Sequence, residues 1–176
     1  MASDLDFESL VSRFYEPLYR FALSLTRSEA VACDLTQQTF YLWATRGHQL
    51  RDSSKVKSWL FTTLHREFLQ TQRRQTRFPE EELDPEHPDL PVVDSSIARH
   101  LDAQQALEAL GRVEAVYQAP VALFYLEDYA YKDIAELLEI PLGTVKSRIA
   151  RGLAQLQNAL AREPDHRHPS RSNDRE

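Results

Sequence analysis

The reading of this chain turns on "EIPLGTVKSRIARGLAQLQNALAR", Glu139 to Arg162. From Gly143 to Arg162 it holds four basic residues and no acidic one, in a chain of formal net charge -6. Val145, Ile149 and Leu153 recur every four residues, the spacing of one inward helix face. Pro141 suits the first turn of such a helix, where a missing N–H leaves nothing unpaired. Just upstream, Tyr131 to Leu138 offers Ile134, Leu137 and Leu138 as a second apolar face. Ala135 is small where two helices would cross closely, and Ile140 fills the turn. The pattern is a helix-turn-helix. Its second helix can lie in a DNA major groove, with Gly143 and Thr144 small at the tip and Lys146, Ser147, Arg148 and Arg151 facing outward. The helix N-terminus adds amides and a dipole that favour phosphate. A solvated basic face would give the same charge pattern, but not the paired apolar faces and tight turn. Where a glycine is usual in that turn the chain has Glu139, so the turn carries a backbone cost or takes another route.

Working outward, the acidity is concentrated in the middle of the 176 residues. Up to Arg74 ten basic residues meet eight acidic ones; from Thr76 to Ala98 one meets seven; from Arg99 onward ten meet twelve. A polyanion could therefore meet either half without meeting the average. The middle stretch, "RFPEEELDPEHPDLPVVD", has Pro79, Pro85, Pro88 and Pro91 among acids and reads as a linker. The expected organisation is all-α, two small helical bundles joined by an acidic Pro-rich linker. The divisions fall at 1–76, 77–96 for the linker, 97–162 for the helix-turn-helix half, and 163–176 for a polar tail expected to be disordered.

In the first half, Phe7, Leu10, Phe14, Leu18, Phe21 and Leu25 predict a helix from Asp6 to Arg27 that Pro17 should kink or split. A second, from about Ser28 to Thr45, has Ala32, Leu35, Phe40 and Trp43 inside and ends at Gly47. A third runs from Lys55 to Arg74, capped by Ser53 or Ser54, and buries Trp59, Leu60, Leu64 and Phe68. After the linker, Ile97, Leu101, Ala106 and Leu110 mark a fourth helix. Val121, Leu123, Phe124 and Leu126 mark a fifth, with Pro120 in its first turn.

Several chemistries find no support. There is no Gly-rich phosphate loop, HExxH, CxxC or nucleophile elbow, so no enzyme activity, cofactor or metal is expected. His166 and His168 lie in the tail without cysteine partners. The single cysteine, Cys33, reads as a small buried hydrophobe of a reducing, cytoplasmic compartment. No apolar run is long enough to span a membrane, and the opening "MASDLDFESL" is acidic where a signal peptide would be basic.

"YAYKDIAELLEIPLGTVKSRIARGLAQL" resembles the minus-35 binding segment of bacterial RNA polymerase sigma factors of the extracytoplasmic-function group, "GTVKSR" most specifically. "DLTQQTFYLWA" looks like that family's polymerase-docking helix, and "KSWLFTTL" like the start of its minus-10 helix. The resemblance implies a non-catalytic initiation factor whose partners are core RNA polymerase, through the β′ clamp coiled coil and the β flap, promoter DNA, and an anti-sigma factor. Carried over by position, Asp34, Gln37 and Gln38 would grip the β′ coiled coil. Arg51, Asp52, Ser53, Ser54 and Lys55 would form the loop that captures a flipped minus-10 base, and Lys57 and Arg66 would track the strand beyond it. Gly143, Thr144, Lys146, Ser147, Arg148 and Arg151 would meet the minus-35 element. The chain departs from the family at "WLFTTLHRE", where His65 and Arg66 replace the usual Arg and Asn and Glu67 adds an acid. The alternative from another class is a stand-alone helix-turn-helix regulator that binds duplex DNA as a dimer. It differs in needing no polymerase to bind tightly.

Overall fold

A computed structural model of the chain describes residues 6–75 and 103–161, and every regular element in them is helical. The expected linker at 77–96, the tail at 163–176, and Ile97 and Leu101 lie outside the described residues. Helix α1 (Phe7–Thr26) runs unsplit through Pro17 and buries Leu10, Phe14, Leu18, Phe21 and Leu25. Phe7, expected inside, is exposed and meets Phe40 edge to face. Arg27 closes α1 in the left-handed region, its N–H donating to the Leu23 carbonyl at 2.9 Å. Ser28 then caps α2 (Glu29–Arg46). The buried Thr36 and Thr39 hydroxyls donate to the carbonyls of Ala32 and Leu35, so neither is left unpaired.

Gly47 does end α2, for a different reason from the one expected. Its φ of -61° is right-handed, and a Cβ there would lie 2.5 Å from the Trp43 ring. The glycine is needed for close approach and not for an unusual backbone. A 3-10 turn at Ser53–Lys55 leads into α3 (Val56–Gln75), and here the cap is Asp52. Its Oδ1 accepts from the Ser54 backbone N–H at 3.0 Å and from the Ser54 hydroxyl at 2.6 Å. Those bonds hold the Asp52 carboxyl below the usual carboxylate range. In α3 the fully buried residues are Leu60, Phe61 and Leu64, while Trp59 and Phe68 are half-buried at its margin.

The second half has α4 (Ala103–Leu110), α5 (Ala115–Leu126), α6 (Tyr131–Leu138) and α7 (Leu142–Ala161). Pro120 sits in the middle of α5, not in its first turn, because the helix begins at Ala115. Gln155 of α7 caps that start: its Oε1 accepts from the Glu114 N–H at 2.9 Å and its Nε2 donates to the Glu114 carboxylate at 2.6 Å. Helices α5 and α7 touch at Gly152, where a Cβ would lie 2.4 Å from Val121 Cγ2 and 3.0 Å from Tyr117 Cβ.

The two halves are not independent bundles. Helix α5 packs on α1, and α6 on α3, and the buried apolar residues of both halves form one continuous cluster. Phe61 links them, with ring centroids 5.4 Å from Phe21 on one side and 5.7 Å from Tyr129 on the other.

Gly152→Ala should destabilise the fold by about 1–3 kcal/mol through overpacking, even though alanine is the better helix former by about 1 kcal/mol. Urea unfolding of the variant beside wild type measures it, and a more stable variant would refute the close contact.

Candidate nucleic-acid interface

The helix-turn-helix forms as its apolar spacing requires. Ile134, Leu137 and Leu138 of α6 are buried, as are Val145, Ile149 and Leu153 of α7, with Leu156 extending the ridge. Between them the chain reverses at Glu139, which takes the left-handed conformation (φ 57°, ψ 40°) that a glycine would take. The Glu139 N–H donates to the Ala135 carbonyl, and the Ile140 N–H reaches the same oxygen at 3.1 Å. This is a Schellman-type ending, and both bonds fall on the Ala135 carbonyl, which the last turn would leave open. The backbone route is thus the ordinary one, and the non-glycine residue bears its cost, about 1 kcal/mol.

On the far side of α7, Gly143 and Lys146 are exposed, while Thr144, Ser147, Arg148 and Arg151 are half-buried. The Ser147 hydroxyl donates back to the Thr144 carbonyl at 3.0 Å. Arg148 flanks the inward ridge beside Ile149. Burial lowers its pKa, and the Tyr117 hydroxyl is near enough to act on its charge. The arginine expected to point freely outward is therefore half-buried. Leu142, 43% exposed at the tip of α7, is an apolar side chain that the charge pattern did not single out.

In the first half, Asp34, Gln37 and Gln38 are all exposed on one face of α2. Tyr41, next on that face and 63% exposed, continues it. Cys33 is half-buried rather than core: Gln37 Nε2 lies 3.3 Å from its sulfur and the Tyr15 hydroxyl 3.9 Å. The loop Arg51, Asp52, Ser53, Ser54 and Lys55 is exposed throughout, preorganised by the Asp52 cap.

Lys57 and Arg66 are not free. The Lys57 ammonium donates to the Glu127 carbonyl at 3.1 Å, lies 3.9 Å from the Glu127 carboxylate, and sits 4.6 Å from the Tyr129 ring centroid. Arg20 of α1 approaches the same carboxylate at 3.5 Å. Arg66 is exposed and pairs with Glu139 in the helix-turn-helix turn. Between α3 and α6 a cleft of about 380 Å³ is lined by Lys55, Trp59, Thr62 and Arg66 on one wall and by Asp133 and Glu136 on the other. Glu127 and Tyr129 were not expected at this junction. The signal for them was indirect, in the apolar composition of α5 on nearly every side.

Burial lifts the Glu127 carboxyl from 4.5 to about 7, with Lys57 and Arg20 opposing the shift. Burial also lowers the His65 imidazole to about 4, which the charge of Glu139 offsets only in part. Among the described residues no group of three or more His, Cys, Asp or Glu side chains could hold a metal ion, and no helix is long and apolar enough to cross a membrane.

Comparison with known proteins finds two family models in order along the chain: "Sigma-70 region 2" over residues 10–78 and "Sigma-70, region 4" over residues 103–156. The ECF RNA polymerase sigma factor SigM of Mycobacterium tuberculosis is 32% identical over 155 residues, covering 88% of this chain and 76% of that protein. SigE of Mycolicibacterium smegmatis is 32% identical over 162 residues, with the match spanning 88% of this chain and 62% of the relative. Among solved structures, the sigma factor RpoE in complex with the anti-sigma factor NepR from Bartonella quintana superposes with a TM-score of 0.68. It is 25% identical, over 90% of this chain and 99% of that one.

Glu139→Gly and Glu139→Ala both remove the Arg66 pair, but only glycine relieves the left-handed backbone. The glycine variant should therefore be the more stable of the two by about 1 kcal/mol, read by chemical denaturation. Equal stabilities would contradict the turn geometry.

Proposed function

The chain belongs to the extracytoplasmic-function RNA polymerase sigma factors, and on that premise we propose that it joins core polymerase as an alternative initiation factor and directs it to its own class of promoters. The observation that carries this reading is the α6–α7 pair, whose ridge Val145, Ile149 and Leu153 is wholly inward while Gly143 and Lys146 remain open at the tip of α7. The half matched by region 2 precedes it in the order that a two-domain sigma factor needs.

In this reading α7 enters the major groove of the minus-35 element, with Gly143 and Thr144 allowing close approach and Lys146, Ser147, Arg148 and Arg151 meeting bases and phosphates. The loop Arg51–Asp52–Ser53–Ser54–Lys55 receives a base unstacked from the minus-10 strand. Unstacking costs a few kcal/mol, which a preorganised pocket helps to offset. Lys57 and Arg66 follow the strand's phosphates. Asp34, Gln37 and Gln38 grip the β′ coiled coil of the polymerase clamp, and the C-terminal half meets the β flap. The divisions at 1–76, 77–96, 97–162 and 163–176 are the domains of this scheme. The chain works in the cytoplasm, where the polymerase is, and all catalysis belongs to the polymerase. Control by an anti-sigma factor is supported by the NepR-bound relative.

Run-off transcription with core polymerase on genomic fragments tests the function and yields the promoter. Tight, polymerase-independent binding to a palindrome would instead favour a stand-alone regulator. Arg148→Ala with Arg151→Ala should weaken promoter binding and reduce the logarithmic salt slope by about 2, polymerase binding being kept. An unchanged slope removes them from the DNA contact. Asp34→Lys should abolish co-purification with core polymerase, and wild-type recovery would contradict the docking assignment.

A further inference from the structure

We propose that Leu142 is a base-reading residue: its side chain packs against the C5 methyl group of a thymine in the major groove of the minus-35 element. It adds an apolar contact to the polar ones of Lys146, Ser147, Arg148 and Arg151. The proposal deepens the reading above and rests on it, since α7 must enter the groove for Leu142 to meet a base edge.

Among the described residues five large apolar side chains are exposed, and four of them, Phe7, Tyr15, Val31 and Tyr41, lie on α1 and α2. Leu142 is the fifth, 43% exposed, and in the described part of the second half it stands alone. Its place is the first position of α7. Val145, Ile149, Leu153 and Leu156 of the same helix are buried, so the inward ridge is complete without it. A leucine left in water forgoes the transfer gain that burial brings. Single exposed leucines are ordinary on a protein surface, and what distinguishes this one is its position at the tip of the helix that reads DNA.

The backbone around it is fixed. The Ile140 N–H donates to the Ala135 carbonyl and the Val145 N–H to the Pro141 carbonyl, each at 3.1 Å. Pro141 sets its own φ. Leu142 and Lys146 are both exposed and four residues apart, so they share a face of α7 one turn from each other. Pro141 and Gly143, exposed on either side, bring no polar side chain. The occupant must therefore be apolar where it touches Leu142 and yet belong to a polyanion, because Gly143 to Arg162 holds four basic residues and no acidic one. In the major groove the bases present donors and acceptors, and the apolar group among them is the thymine methyl. A leucine on so constrained a backbone loses little freedom when it makes that contact.

The test uses the full-length chain with core polymerase, on the promoter fragment that run-off transcription yields. Each thymine of the minus-35 element, on either strand, is replaced in turn by deoxyuridine, which keeps the pairing and removes only the methyl. Competition binding reads holoenzyme affinity. At one position the replacement should weaken the wild type about fourfold, the worth of one buried methyl group. Leu142→Ala should lose about as much on the thymine duplex and nothing more on the uracil one. Leu142→Met, apolar and of similar size, should keep the discrimination. Three results would each overturn the proposal: a wild type indifferent to every uracil, equal discrimination by wild type and Leu142→Ala, or a minus-35 element without thymine. Failure of transcription refutes the sigma reading instead. Uracil replacement in whatever duplex the chain retains without polymerase then decides Leu142, and a chain that retains none refutes both.

Discussion

The constraint on which this structure depends is the covering of α5. Its residues Gln118, Ala119, Pro120, Val121, Ala122 and Leu123 are buried without a break, so the helix has no face to give to water there. A helix apolar on nearly all sides must be enclosed by more than one neighbour. Helix α7 covers one side, with Gly152 allowing the closest approach, and α1 covers another. Packing of the two halves follows from that demand. Gln118, the polar member of the run, is satisfied locally by donating to the Val113 carbonyl at 2.8 Å, the same carbonyl that Arg27 reaches from the first half.

From this packing the electrostatics of the junction follow. Glu127 stands at the end of α5, where the apolar run meets α1 and α3, and it enters low dielectric because the helix before it does. Arg20 and Lys57 converge on it from two helices, yet burial remains the larger effect on its protonation. A buried ion pair of this kind adds little net stability compared with an apolar contact. Phe61 and Tyr129 supply the apolar part of the same joint. The joint is therefore specific in its partners and responsive to solution conditions, which a purely apolar seam would not be.

Much of this was legible in the chain. The 3-4 spacing of Leu10, Phe14, Leu18, Phe21 and Leu25 gave α1, and Val145, Ile149 and Leu153 gave the inner face of α7, because local periodicity reports burial directly. Family resemblance in "GTVKSR" and "DLTQQTF" carried the function further than periodicity could. What escaped was non-local or chemically ambiguous. Asp52, Ser53 and Ser54 are all good caps, and only coordinates tell which one turns to the backbone. Pro120 fits a first turn or, where neighbours compensate, a helix middle. Glu127 carries no local sign of burial, since the Arg20 and Lys57 that meet it lie far away in sequence.

Helix α5 also has a consequence for the lifetime of the molecule. Any event that draws the second half away from α1 bares oily surface on both, and bared surface of that kind sticks to whatever is near. A chain pulled apart in dilute solution would tend to clump or be degraded, unless a larger host offered it shelter. The same apolar rod that shapes the fold thus ties the survival of its extended form to company.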